Sequence, residues 1–195
     1  MMKPAIRNVV LFLFVILPLG AAWAADKDEE AKYADTIKIF QDAGESGSFF
    51  DKSYGYAVFP TIGKGGIGIG GAYGTGRVYA QGKYVGDTSM TQVSIGLQLG
   101  GQAYSQIVFF EDQRAFNEFT SGNFEFGAGA SAVAITAGAS AEATTAGSSA
   151  GASGGKNDAT TVGDYHKGMA VFTVAKGGLM FAATVAGQKF SYTAK

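Results

Sequence analysis

Glycine recurs at every second residue within the segment Tyr54–Tyr84, and this alternation predicts a β-strand with two very different faces. The even positions from Gly66 to Gly76 carry glycine or, once, alanine. The odd positions carry most of the larger side chains, namely Ile67, Ile69, Tyr73, Thr75 and Arg77. Because interior glycine weakens a strand, we expect a helix, another backbone or a ligand to pack directly on the glycine face.

Two other segments have the helical period. In Lys32–Ala43 the apolar residues fall at i, i+4 and i+7, which are Tyr33, Ile37 and Phe40. Asp112–Thr120 places Ala115, Phe116 and Phe119 on one face. Interfacial membrane helices usually have a basic polar face, whereas the first helix and the leader before it carry five carboxylates: Asp28, Glu29, Glu30, Asp35 and Asp42. We therefore expect the first helix to pack on a sheet rather than to insert into a membrane.

The remaining periodic segments read as strands. Pro60 is expected to end the strand Tyr54–Phe59, Gln81-Gly82 to form a hairpin, and Gly86-Asp87 to form a turn. Thr91–Tyr104 predicts a half-buried strand whose apolar row is Val93, Ile95, Leu97 and Leu99. The other predicted strands are Gly65–Gly74, Gln106–Phe110, Phe124–Ala134, Met169–Ala175 and Leu179–Ala186, the last with an extension over Gln188–Tyr192. The fold class is mainly β with accessory helices (α+β): an antiparallel sandwich or barrel-like sheet covered by two or three short helices.

The N-terminus has the three parts of a secretory signal peptide. Lys3 and Arg7 precede the apolar run Val9–Leu17, and Ala22-Trp23-Ala24 offers small residues around a cleavage site after Ala24. A retained membrane anchor is less favoured because Pro18 interrupts a run already short of about 20 residues. The predicted organisation is a signal peptide over 1–24, an N-terminal helical segment over 25–48 and one domain over 49–195. We expect a periplasmic or secreted protein, peripheral to a membrane if attached to one.

Charge and chemistry exclude several classes of function. Without the signal peptide 13 basic and 16 acidic residues remain, a net charge of −3, which argues against a nucleic-acid partner. With no cysteine and a single histidine, His166, the chain offers no His/Cys metal cluster and no Cys–His dyad. The glycines at 63, 65 and 68 match a dinucleotide fingerprint, but the continuing glycine alternation prevents the helix that this motif must open. We expect no enzyme activity, no cofactor and no metal.

Basic residues beside glycine turns are the candidate binding groups. Lys64 and Lys176 each border glycine where a strand begins or ends, and exposed backbone N–H groups there can hold a phosphate head group. Lys52 and Arg77 are weaker candidates. An isolated turn lysine is also commonly just solvated, so both interpretations stay open.

Several separate motifs resemble the SYLF domain family. They are Tyr56-Ala57-Val58-Phe59, Lys64-Gly65-Gly66, Gly70–Gly76, the helix start Asp112–Phe116, the segment Gly138–Ala143 and Gly178-Leu179 through Gly187. The resemblance implies a non-catalytic, lipid-binding, glycine-rich domain whose eukaryotic members contact phosphoinositide membranes through basic residues, and some of which bind actin. The acidic first helix and the predicted export depart from that pattern and make actin an unlikely partner.

The sequence thus predicts an exported, membrane-associated domain that contacts anionic lipid head groups through its lysines. Two alternatives stay open: a structural envelope protein that docks a protein partner, and a small outer-membrane β-barrel, although several predicted strands are shorter than the nine to eleven residues such barrels need.

Overall fold

The computed structural model describes residues 19–96, 101–127, 130, 132–135, 165–176 and 185–195. Three helices, α1 Leu19–Asp42, α2 Gly44–Gly47 and α3 Gln113–Phe119, accompany the strands. The strands are β1 Gly55–Ala80, β2 Lys83–Gly96, β3 Gln102–Phe110, β4 Phe124–Glu125, β5 Val133–Ile135, β6 Met169–Lys176 and β7 Gln188–Ala194. Most of the predicted signal peptide, the Gly/Ala-rich segment 137–155 and most of the predicted strand at 179–186 lie outside the described residues.

The described strands form one sheet in the order β4-β7-β2-β1-β3-β6-β5, curled into a half-barrel. Every pairing is antiparallel except that between β5 and β6. The mainly β class with accessory short helices is therefore confirmed.

The strand β1 departs from the prediction because it continues through Pro60. Its first half pairs with β3 and its second half with β2, and the pairing with β3 shifts between Phe59 and Ile62. Proline is tolerated at such an irregularity because no ladder hydrogen bond is required of it there. The Ser105 hydroxyl donates to the Pro60 carbonyl at 2.8 Å. Pro60 thus marks a shift in register and not the end of a strand.

The glycine face of β1 is covered by the other half of the same strand. Gly66 has a φ of +150°, and a Cβ atom built on it would clash with Gly70, so the chain folds back between these residues. A Cβ on Gly74 would lie 2.6 Å from Ile62 Cγ1, and one on Gly76 would lie 2.7 Å from Phe59 Cδ1. The expected close cover is present, and it consists of backbone and apolar side chains of β1 itself.

Apolar clusters cover both faces of the sheet. The inner cluster includes Phe59, Ile62, Val108 and Phe110, and α3 contributes Phe119 to it. The outer cluster includes Val58, Ile107 and Phe109 and is covered by Tyr33 and Phe40 of α1 and by Phe49 in the turn after α2. The predicted packing of the first helix is confirmed, although α1 begins earlier than expected, at Leu19.

The helix predicted at Asp112–Thr120 and the predicted hairpin at Gln81-Gly82 are both confirmed. Asp112 caps α3, because its carboxylate accepts a hydrogen bond from the Ala115 N–H at 2.8 Å. Gln81 and Gly82 both have positive φ, 49° and 76°, as a two-residue hairpin turn requires.

The predicted turn at Gly86-Asp87 is wrong. Both residues lie inside β2, where Gly86 pairs with Val78 and Ala194. A Cβ on Gly86 would lie 2.5 Å from the Thr193 carbonyl oxygen and 2.6 Å from the Tyr192 ring. The glycine therefore serves close strand packing and not a reversal of the chain.

Candidate functional site

The register of the sheet brings Lys64 and Lys176 to the same end of the molecule. Lys64 of β1 pairs with Gln102 of β3, and Lys176 of β6 pairs with Ala103 of the same strand. The two lysines therefore flank the beginning of β3, with backbones roughly 10 Å apart. Since Gln102 and Ala103 are consecutive residues, the lysine side chains start from opposite faces of the sheet.

The surroundings of the two lysines are open and uncharged. The Lys176 ammonium donates to the Thr61 hydroxyl at 2.9 Å, and the Lys176 side chain is exposed. A Cβ on Gly63 would meet no atom within 4 Å, so the backbone next to Lys64 is uncovered on that side. Strands β1, β3 and β6 contain no aspartate or glutamate. An anion can therefore approach this end without meeting a carboxylate from these strands.

Lys52 and Arg77 lie away from Lys64 and Lys176. Lys52 is exposed in the turn before β1, and the first half of β1 separates it from Lys64 by roughly 30 Å. The side chain of Arg77 is only 12% exposed and faces α1.

The contacts of Arg77 make it an anchor for α1. Its guanidinium carbon lies 4.4 Å from the centre of the Tyr33 ring and 5.0 Å from that of Tyr84. Its Nη2 lies 3.7 Å from the Glu29 carboxylate. Burial beside these groups raises the pKa of the Tyr33 hydroxyl. The guanidinium is thus held between two aromatic rings and a carboxylate.

Beyond the bend of β1, three apolar side chains point away from the core. Ile69 is 71% exposed, Tyr73 58% and Val93 76%. Gly71, between the two β1 residues, pairs directly with Val93 of β2, and the three side chains share the outer face of the sheet. We call this set the apolar stripe. It lies next to the bend, as does Lys64.

The apolar stripe corrects the expectation for β2. The alternation predicted burial of the row that begins with Val93, but Gln92 is buried at 5% exposure while Val93 is exposed. The physical reason is the pairing with β1: Gln92 lies opposite Ala72, on the covered face. The exposure of Ile69 and Tyr73 follows from the sequence, because a covered glycine row in β1 forces the odd residues of that strand outward. Val93 is exposed with them because it pairs with Gly71, another odd residue of β1.

A buried polar cluster, which the sequence did not indicate, lies inside the half-barrel. Gln106 and Gln188 are fully buried and exchange two amide hydrogen bonds, of 2.9 and 3.1 Å. The Tyr104 hydroxyl lies 3.4 Å from the Gln188 amide nitrogen, and burial raises the pKa of Tyr104 to about 12. Gln92 donates to the Ala186 carbonyl at 2.9 Å. These groups satisfy one another, so the cluster stabilises the fold and carries no evident ligand site.

Two further observations concern membranes and metals. Within the residues that the structure describes, no helix combines the length and the apolar content needed to cross a bilayer. The same residues contain no group of three His, Cys, Asp or Glu side chains placed to share a metal ion.

The fold is thus that of a mainly β domain with a basic end and an exposed apolar stripe, and its family follows from comparison with known proteins. The model of the Ysc84 family, described as Las17-binding protein actin regulator, matches residues 91–194. This span is 104 of the 195 residues, and the chain belongs to this family, which carries the SYLF domain. No curated protein matches the chain. The match includes Lys176 and Val93, whereas Lys64 and the glycine alternation precede it.

Proposed function

We propose that this protein is a non-catalytic lipid-binding domain, exported to the cell envelope, that contacts anionic head groups through Lys64 and Lys176. The observation that carries the proposal is the register that sets both lysines beside the start of β3. Lys52 and Arg77 are not part of this contact, because Lys52 lies far from this end and Arg77 is engaged by α1.

The electrostatics of this end favour an anionic surface. The chain as a whole is slightly acidic, but part of its acidic charge lies on α1 and α3, away from the two lysines. A lysine near an anionic bilayer contributes about 1 kcal/mol of attraction, which falls off within a Debye length. Lys64 and Lys176 together therefore supply about 2 kcal/mol, or roughly a thirtyfold gain in binding.

The family description names an actin regulator, and lipid is the better partner for this chain. The N-terminal sequence predicts export, and an exported protein does not meet cytoplasmic actin. Export itself is testable, because N-terminal sequencing of the processed protein should begin at Ala25. An unprocessed N-terminus on protein from the envelope fraction would contradict this part of the proposal.

Vesicle flotation tests the lysine contact. We expect the Lys64→Ala/Lys176→Ala variant to bind phosphatidylglycerol-containing vesicles roughly thirtyfold more weakly than the wild type. The matched control is Lys83→Ala/Lys167→Ala, which removes the same charge from exposed lysines at the hairpin and before β6, both distant from this end. The control should bind like the wild type.

Three results would count against the proposal. Equal losses in both double variants would show that net charge alone acts. Unchanged binding of the Lys64→Ala/Lys176→Ala variant would overturn the assignment of the lysines. Wild-type protein that ignores all vesicles would favour the alternative, in which the domain docks an envelope protein.

A further inference from the structure

The outer face of β1, β2 and β7 changes in polarity along the strands. Next to the bend it carries the apolar stripe, Ile69, Tyr73 and Val93. Further along come hydroxyl side chains, Thr75, Ser89 and Ser191, and the last two are joined by a hydrogen bond of 2.7 Å. Beyond these lie Asp87 and Thr193, which are exposed, and Arg77, which is only 12% exposed beneath α1. The face is thus apolar at one end, uncharged and polar in the middle, and charged at the other end.

This one-directional order matches a bilayer better than a protein partner. A protein interface typically has an apolar centre surrounded by a polar rim, whereas a bilayer changes from apolar to polar along a single axis. Tyr73 lies between the aliphatic residues and the hydroxyl band, which is the position that tyrosine favours at membrane interfaces.

The basic residues near the stripe are Lys64 and Lys189, and Lys189 is already paired with a carboxylate. Lys64 lies on the other side of the bend, five residues before Ile69. Lys189 of β7 pairs with Thr91 of β2, which pairs with Tyr73 of β1. The Lys189 ammonium lies 3.4 Å from the Glu125 carboxylate. Between the bend and Asp87, neither β1 nor β2 contains an acidic residue. Ile69 and Val93 can therefore enter a membrane without bringing a carboxylate from these strands to the head-group layer.

We propose that the apolar stripe inserts into the boundary between head groups and acyl chains of a lipid bilayer, with the bend of β1 leading. This inference rests on the proposed lipid binding and adds a contact that does not depend on charge. The lysines attract the domain to an anionic surface, and the stripe then holds it there by burying aliphatic side chains. Binding should therefore persist at high salt, where attraction between exposed charges is screened.

Substitution of the stripe tests the contact directly. Ile69→Thr/Val93→Thr keeps β-branched side chains at both strand positions and removes aliphatic surface. We expect about tenfold weaker binding to vesicles at high salt, because the two substitutions remove aliphatic surface that the bilayer would bury. The matched control is Ile39→Thr, which makes the same kind of change at an apolar residue of α1 that is 43% exposed. The control should bind like the wild type.

A single tryptophan reports the depth of the stripe. In the full chain, Trp23→Phe combined with Tyr73→Trp leaves one indole, at the position of Tyr73 in the stripe. Bromine on the acyl chains quenches only indoles that enter the bilayer. We expect strong quenching by vesicles whose lipids are brominated near the head group and little quenching by lipids brominated near the chain ends.

The outcomes separate this inference from the proposed function. Vesicle binding that requires the lysines, is unaffected by Ile69→Thr/Val93→Thr and leaves the introduced indole unquenched would overturn the insertion and leave lipid binding intact. A wild-type protein that binds no vesicle would overturn both. If the stripe variant instead turns a dimer into a monomer without weakening vesicle binding, the stripe is an interface between copies and the insertion is refuted.

Discussion

Replacing Gly76 by alanine should destabilise the protein, because the added methyl group would enter space that the first half of β1 already fills. A Cβ atom there would lie 2.7 Å from the Val58 carbonyl oxygen and 2.7 Å from Phe59 Cδ1. Phe59 is fully buried, so its ring cannot turn out of the way without displacing other core side chains. The carbonyl oxygen is part of the strand and cannot move alone.

The expected magnitude combines two opposing effects. Overpacking of a filled core costs about 1–3 kcal/mol, and a backbone clash belongs in the upper part of that range. Alanine also restricts the unfolded chain, which stabilises the protein by about 0.4–1 kcal/mol. The net loss should be about 2 kcal/mol in the free energy of unfolding, and a domain of this size should then lose about 4–8 °C in Tm.

Thermal and urea unfolding, followed by circular dichroism, measure this loss. The matched control is Gly71→Ala, on the outer face of the same strand, where the Cβ would lie 3.5 Å from the Gln92 carbonyl oxygen, an ordinary contact. The control should be neutral or slightly stabilising. A Gly76→Ala protein with the stability of Gly71→Ala would refute the conclusion that the two halves of β1 pack directly on one another.

Three further predictions concern the core and the helix. Gln188→Leu should lower the free energy of unfolding by about 1–3 kcal/mol, because it leaves the Gln106 amide buried without its partner. The double variant Gln106→Leu/Gln188→Leu should lose less than the sum of the two single losses, which a double-mutant cycle measured by urea unfolding would show. Arg77→Ala removes the guanidinium that holds α1, so amide hydrogen exchange in α1 should be about fivefold faster than in the wild type. The control Lys38→Ala breaks an exposed ion pair on the same helix and should change the exchange rates little. Equal exchange rates in Arg77→Ala and the wild type would contradict the anchoring role. Burial raises the pKa of Tyr104 from 10.0 to about 12, which favours the neutral phenol in the folded protein. The resulting contribution of Tyr104 to the free energy of unfolding is complete below pH 10 and is lost as the pH rises towards about 12. Between about pH 9 and about pH 11, the free energy of unfolding measured in urea should therefore fall by about 1 kcal/mol more in the wild type than in Tyr104→Phe. Equal decreases in the two proteins would contradict this prediction.

The alternation of glycine in β1 was sufficient to predict an extended strand with a closely covered face. It was not sufficient to identify the cover, because local periodicity reports which residues share a face and says nothing of which distant segment meets that face. The cover proved to be Phe59 and Ile62, both within the same strand. Pro60 concealed this continuity, since a proline ordinarily ends a strand unless the register shifts there.

The candidate site was predictable to a similar extent. Glycine-flanked Lys64 and Lys176 were visible in the sequence, but their common position beside β3 is a property of strand order and register. Val93 was placed on the wrong face because its row is apolar, whereas burial in β2 follows the covered face of β1. The Gln106–Gln188 pair joins residues 82 positions apart, and no local pattern encodes such a contact.

The sequence by itself determined several local properties of this protein: a helix at α3, an apolar face on α1, the hairpin turn and the glycine face that had to be covered. These follow from side-chain shape and backbone freedom over a few residues. The tertiary structure alone decided that β1 folds back on itself, that two lysines flank the start of β3 and that an apolar stripe faces outward near them. Those features depend on which strands become neighbours, and that choice is made by the packing of the whole core.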